Sequence, residues 1–359
     1  MVNFIIRRLF YGFFVLFGVI VVVFLLFNVL PGDPARMMLG QRADVSSIQA
    51  IKRELGLDRP LPVQFLMYLN DLSPVSIHEK NDKKSVLFLS DEKYSPYLTL
   101  TPLSANKVMV LKEPYLRRSY QTKRKVSEVI TESLPETAVL ATTAIIFAVI
   151  VGVALGITAA IRKSTPVDHF SIVFSVIGMA APSFFTGIII AWIFGYLLCD
   201  YTGLNMAGSL YKIDPFEGEV LELKNLILPA FTLGIRPLTV IVQLTRSSML
   251  DVLTQDYIRT ARSKGLSQHI IIVKHGLKNA LNPVITAVSS WFASMLAGAV
   301  FVEYIFGWKG IGKELFDALE KYDFPLAMGI TLVIAIFFIL INILVDIAYG
   351  LTDPRVRVQ

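Results

Sequence analysis

Long apolar runs alternate along the chain with polar segments. Six runs reach or approach the roughly 20 apolar residues that a helix needs to cross about 30 Å of hydrocarbon; they lie at 9–30, 138–161, 170–198, 226–244, 283–302 and 324–347. The third contains Pro182. The fourth is the weakest because it contains Arg236 and Pro237. A backbone group without a partner costs several kcal/mol in lipid, so spanning runs of this length must be helices. The pattern predicts an all-α polytopic membrane protein with six transmembrane helices. Arg7 and Arg8 precede the first run, and Pro31, Gly32, Asp33 and Pro34 follow it in place of a small-residue cleavage site. Residues 1–30 therefore read as an uncleaved first span.

Composition agrees with lipid as part of the solvent. The chain has 359 residues, 54% of them hydrophobic and only 17% charged, against about 25% charged in an ordinary soluble chain. So apolar a sequence is not disordered, and a single cysteine, Cys199, cannot staple a secreted fold. The net charge of +6 carries no argument for nucleic acid, because orientation rules alone enrich Lys and Arg in membrane proteins.

Short loops set orientation. An amino terminus in the cytoplasm places Arg7, Arg8, Arg162, Lys163, Arg259, Arg262, Lys264, Lys274, Lys278, Arg355 and Arg357 on the same side. The outer loop 199–225 is acidic on balance, and both termini fall inside, with 351–359 as a cytoplasmic tail. Residues 31–132 form an outer region in two halves, and 133–350 form a five-helix core. The first half has helical spacing at Ile48, Ile51, Leu55 and Leu57, then Phe65, Leu66 and Leu69, with Ser46 and Ser47 placed to cap and Gly56 to stop the helix. From 73 to 114 the pattern changes to β-prone runs such as Val86 to Leu89 and Lys107 to Val110, which predicts a small strand-containing extracytoplasmic insertion. Lys80, Lys83, Lys84, Arg117, Arg118, Lys123, Arg124 and Lys125 supply either a surface for an acidic partner or a solvated face.

The most informative segment is the cytoplasmic loop 250–282. Within it Asp256, Tyr257, Ile258, Arg259, Thr260, Ala261, Arg262, Ser263, Lys264, Gly265 and Leu266 read as a short helix and its stop, and a second amphipathic helix follows into the fifth span. Tyr257, Thr260, Ala261 and Lys264 share one helix face, with Ala261 keeping it low enough for close contact. Gly265 suits the left-handed residue that ends such a helix. A basic interfacial helix lying on lipid would share the charge pattern, but the small residue followed four positions later by glycine favours docking.

This segment resembles the EAA-type coupling loop of ABC importer permeases, with Thr260, Ala261 and Gly265 at its small, small and glycine positions. More widely, the chain resembles the first of the two permease subunits of dipeptide, oligopeptide and nickel importers. The matching blocks are Pro31 to Pro34, Leu55 to Leu61, Arg118 to Tyr120 with Val126 and Leu134–Pro135, Leu244 to Leu250, Asp256 to Leu266, Trp308 to Gly312, Asp323 to Pro325, Val345–Asp346 and Asp353 to Arg355. The resemblance implies a six-helix type I importer permease of the bacterial inner membrane. It further implies pairing with a second permease subunit, two ATP-binding subunits that hydrolyse ATP, and an extracytoplasmic solute-binding protein. The chain departs from that pattern twice: residues 73–114 are extra, and Lys309 stands where the family usually has proline.

The segment from Gly307 to Glu314 comes within one residue of a phosphate-binding loop, but Glu314 replaces the required hydroxyl and no strand precedes it. It reads instead as a glycine-rich turn feeding a short outer helix at 314–321, expected to lie over the pore as part of an outer gate. Charges inside spans are functional candidates by default. Arg236 either faces the substrate path, where it would meet a peptide carboxylate, or pairs with Glu303, or lies higher because Pro237 breaks its helix. The pore or gate candidates are thus Arg236, Glu303, Trp308, Gly310, Gly312 and Asp323, and Asp346 is an anchor at the inner surface. Scattered histidines at 78, 169, 269 and 275 offer no metal-ligand spacing, and nothing resembles a nucleophile elbow or zinc-protease helix. The expected function is that of a transport subunit without cofactor or catalytic residues. The competing classes are a membrane-embedded enzyme or sensor reading a ligand at 31–132, and a secondary carrier, for which matching broken helices and several buried carboxylates are missing.

Overall fold

A computed structural model describes residues 2–29, 44–54, 56–82, 85 and 87–352. Pro31 to Pro34, Leu55, Lys83, Lys84, Val86, Asp353 to Arg355 and Arg357 lie outside the described residues. Among the described residues, four continuous helices are long and apolar enough to span a membrane: Ile6–Asn28, Val126–Ile161, Lys224–Leu253 and Phe324–Ile347. Two bent pairs bring the number of candidate spans to six. The chain divides into two compact units, one of residues 1–15, 133–314 and 334–359, the other of residues 16–132 and 315–333.

In the first unit, small residues let helices approach closely, as membrane packing requires where lipid competes equally for apolar side chains. Gly156 lies so near Thr245 that a Cβ there would come within 2.6 Å of the threonine Cβ. The core gathers Leu140, Ala144, Leu228, Met295, Phe306 and Trp308. At one end Arg8 pairs with Asp346 at 2.8 Å.

Proline acts differently in the third and fourth runs. The third is not one helix: Pro166–Ala180 and Ser183–Leu197 meet at 108°. Pro182 lacks an N–H and forces Ala181 into an extended conformation, with ψ of 127°. The fourth run, in contrast, is the continuous helix Lys224–Leu253 despite Pro229 and Pro237, so Pro237 does not break it. Local side chains take up backbone carbonyls along it, Thr232 Oγ1 donating to Leu228 at 2.8 Å and Thr239 Oγ1 to Arg236 at 2.7 Å. The fifth run likewise divides, into Asn282–Gly298 and Val300–Phe306, and the helix expected at 314–321 runs Ile311–Glu320. The acidic loop after the third run carries a hairpin, Tyr211–Asp214 paired with Gly218–Leu221, that the sequence reading missed.

In the second unit, Val45–Glu54 and Leu61–Leu72 are helices. The first starts at Val45, which places Ser46 and Ser47 inside its opening turn and not at the cap; Ile48 N–H bonds the Asp44 carbonyl. The insertion is a three-stranded antiparallel sheet in the order Val75–Glu79, Lys107–Lys112, Tyr97–Pro102. Residues 87–89 carry one isolated bridge, from Phe88 to Glu79, and not a strand; the Leu87 carbonyl lies 3.3 Å from His78 Nδ1, and Leu89 packs with Tyr94. Asp71 organises the base of the sheet: it accepts hydrogen bonds from Tyr94 Oη at 3.0 Å and Arg117 Nε at 3.1 Å, while its carbonyl accepts Lys112 Nζ at 2.6 Å. Arg117, Arg118 and Arg124 all have acidic partners within the unit, so this part of the basic set is internally neutralised.

His78 is fully buried between Ser76, 3.0 Å from its Nε2, and the ring of Tyr94. Burial and the neighbouring Lys112 ammonium push its pKa below the ordinary 6.5, against weaker opposition from the Leu87 carbonyl and Asp71. The unfolded insertion therefore binds a proton near pH 6.5 that the folded one refuses. Stability is full above that pH and is lost on acidification, by at most about 1.4 kcal/mol per pH unit. Amide exchange at Val108 and Val110 should accelerate between pH 7 and 5 relative to a His78→Gln variant measured at the same pH; equal pH dependence in the two proteins would contradict this assignment.

Candidate functional site

The segment between the fourth and fifth runs folds as the helix Asp256–Ser263, followed by Gln268–Ile270, a wide turn Ile271–Leu277 and Lys278–Ala280. Ile258 and Ala261, three residues apart, face inward and pack with Ile271 against Val252, Leu253 and Leu266. This corrects the single-stripe expectation: Ala261 belongs to the inner face, whereas Asp256, Tyr257, Thr260 and Lys264 are exposed. The reason is that Ile258, the most apolar residue of the helix, fixes its rotation and carries Ala261 inward with it. Gly265 has φ of +74°, its N–H bonded to the Arg262 carbonyl at 3.0 Å, and nothing stands within 4 Å of where its Cβ would be. Asn279 donates to Tyr257 Oη at 2.9 Å, tying the two helical pieces together on the exposed side. The Asp256–Arg259 pair is nearly fully exposed and contributes little.

The glycine-rich turn is organised around Glu303, which is completely buried. Its carboxylate accepts Thr137 Oγ1 at 2.8 Å, Lys313 N–H at 3.0 Å and the Gly312 N–H. Glu303 thereby caps the start of Ile311–Glu320, satisfying N–H groups that a helix leaves without partners and placing negative charge at its positive end. A Cβ on Gly310 would overlap the Glu303 carboxylate and the Thr137 hydroxyl, and one on Gly312 would lie 2.8 Å from Val300 Cα. Trp308 is buried and donates its indole N–H to the Glu136 carbonyl at 3.0 Å. The departure at Lys309 has a local cause: its N–H donates to Ser209 Oγ at 3.0 Å, a bond proline could not make. The turn's amides are thus turned toward an internal carboxylate where a nucleotide-binding loop would offer them to phosphate.

Arg236 is exposed, 12 residues past the start of its helix, about 18 Å along it. Among the described residues no ion pair joins it to Glu303, whose partners are Thr137 and the turn amides. Asp323 lies in the second unit and has a different task. Only 2% exposed, it accepts Ser119 Oγ, Tyr120 N–H at 2.9 Å and Gln121 N–H at 3.4 Å. It clamps the 119–122 turn, and burial raises the pKa of Tyr120 beside it. Glu303, Trp308, Gly310 and Gly312 are therefore one cluster, from which Arg236 is separate.

One pair escaped the sequence reading. Arg246 forks onto Asp168, with Nε on Oδ1 and Nη2 on Oδ2 at 2.9 Å, and Asp168 also accepts the Ser164 N–H at 2.9 Å. An arginine near the end of an apolar run needs an acidic partner, which was a usable signal, but the partner lies 78 residues away. Among the described residues no group of three or more His, Cys, Asp or Glu side chains is arranged to hold a metal.

Residues 152–358 match the family model described as binding-protein-dependent transport system inner membrane component, and residues 1–83 match that of the N-terminal part of such membrane components. The chain is 33% identical to the dipeptide transport system permease protein of Alkalihalophilus pseudofirmus, over 98% of both chains. It is 34% identical to the di/tripeptide transport system permease protein of Pseudomonas aeruginosa over the full length of both. It is 33% identical to the glutathione transport system permease protein of Salmonella paratyphi A over 99% of both. The polytopic helical fold, the glycine-rich turn closed on Glu303 and this full-length similarity lead to one conclusion: the chain belongs to the family of binding-protein-dependent transport system inner-membrane components, ABC permease subunits and not enzymes.

Proposed function

We propose that this chain is one of two permease subunits of an importer for small peptides, driven by two partner ATPases that grip the exposed side of Asp256–Ser263. A binding protein delivers the solute at the outer region, and both termini lie in the cytoplasm. Relatives named for dipeptides, di/tripeptides and glutathione support short peptides over nickel chelates as the solute. The observation that carries the coupling role is the seating of this helix. Ile258 and Ala261 fix it to the end of Lys224–Leu253, while Tyr257, Thr260 and Lys264 stay exposed on the side a partner would meet. ATP can shift a transport equilibrium only through contacts that differ between its states, and a surface helix rooted on a long span offers such contacts.

Replacing Gly265 with valine tests the role. The left-handed conformation costs a residue with a Cβ about 1–2 kcal/mol, more for a β-branched one, and no neighbour is displaced because the site is open. The native loop conformation should lose a factor of roughly five to thirty in its equilibrium against alternatives, and uptake should fall with membrane insertion unchanged. Unaltered uptake would remove the loop from the mechanism, and purification of the intact transporter without any ATPase would remove the importer reading itself.

A further inference from the structure

We infer that Arg246 and Asp168 form the latch that passes movement of the cytoplasmic helix Asp256–Ser263 to the bent helix pair 166–197. This rests on the importer reading above. Arg246 lies seven residues before the end of Lys224–Leu253, two turns from where Val252 and Leu253 hold Ile258 and Ala261. Between the two contacts, Met249 is fully buried against Ala160 and Ala280, which makes this end of the helix one packed body with the coupling segment.

Asp168, 2% exposed, opens Pro166–Ala180. That helix runs antiparallel along the long one, with Asp168 opposite Arg246 and Gly178 close against Thr239. The arginine fork is planar, has two points of attachment and fixes direction as well as distance. The latch is also tied to the turn ahead of the helix, because Ser164, itself at φ of +61°, donates its N–H to the same carboxylate. Motion of the long helix end must therefore either carry Pro166–Ala180 with it or break a charged bidentate contact, and the 108° bend at Ala181 and Pro182 is the joint at which that helix can turn. Arg246 and Asp168 are positioning residues; neither is assigned contact with solute.

The assembled transporter, reconstituted in liposomes with loaded binding protein, separates the possibilities through peptide taken up per ATP hydrolysed. Arg246→Gln and Asp168→Asn should each lower that ratio about fivefold or more, the low end of ordinary coupling between sites, and the double variant should be no worse than either single one. Arg246→Lys keeps the charge, loses the fork and should fall between them and the native protein. An unchanged ratio in any assembled variant, or losses that multiply in the double variant, would overturn the latch. Should the glutamine variant not assemble, the lysine variant decides, and a native ratio there counts against the latch. A native transporter that takes up no peptide at all would instead overturn the importer reading and is read before the variants.

Discussion

Gly310→Ala is expected to abolish uptake and to lower the melting temperature of the purified transporter more than any other single methyl group added in the turn. The new Cβ would occupy the space of the Glu303 carboxylate and the Thr137 hydroxyl. Glu303 then loses its bonds to Thr137 Oγ1 and the Lys313 N–H. Hydrogen bonds to a charged group are worth about 1.5–3 kcal/mol each, so about 3–6 kcal/mol is at stake, comparable with the whole stability of many domains. Glu303→Ala should cost a similar amount without any clash, since it removes the cap and leaves Thr137 and two amides buried without an acceptor. A Gly310→Ala transporter that melts with the native protein would show that the carboxylate is not held as described.

Asp323→Ala is expected to loosen the second unit at one place. Ser119 Oγ and the Tyr120 and Gln121 amides lose their common acceptor, at a cost of about 4.5–9 kcal/mol by the same reckoning. The segment holds Lys123, Arg124 and Lys125, all exposed or half-buried, so trypsin should cut there many times faster than in the native protein. Asp323→Asn, which keeps the shape and one acceptor oxygen, should be cut at an intermediate rate. Resistance to trypsin in Asp323→Ala would return this residue to the list of pore candidates and end its assignment as a clamp.

The helix Asp256–Ser263 was legible in advance because its signals are local. An apolar residue every three or four positions, a basic end and a glycine at the stop define a short amphipathic helix without reference to the rest of the chain, and Asp256–Ser263 with Gly265 follows that pattern. Which face turned inward was not legible. Ala261 satisfies both an inner and an outer stripe, and only contact with Val252, Leu253 and Ile271 chooses between them. Proline was ambiguous too: Pro182 breaks a helix and Pro237 lies inside one, and the apolar runs around them do not tell the two apart. Glu303 as an internal cap and Asp168 as the partner of Arg246 depend on residues 166 and 78 positions away.

The sequence by itself determined that the chain lives in lipid, that its backbone there is helical, and where its polar loops interrupt the spans. These follow from run length, charge and the high cost of a bare peptide group in hydrocarbon, none of which needs a partner. Only the tertiary structure decided which buried charges meet, because a carboxylate or guanidinium in a span is too costly to leave alone yet can be satisfied by many groups at any chain distance. Folding selected Thr137 and the turn amides for Glu303, Asp168 for Arg246, and no acidic side chain among the described residues for Arg236.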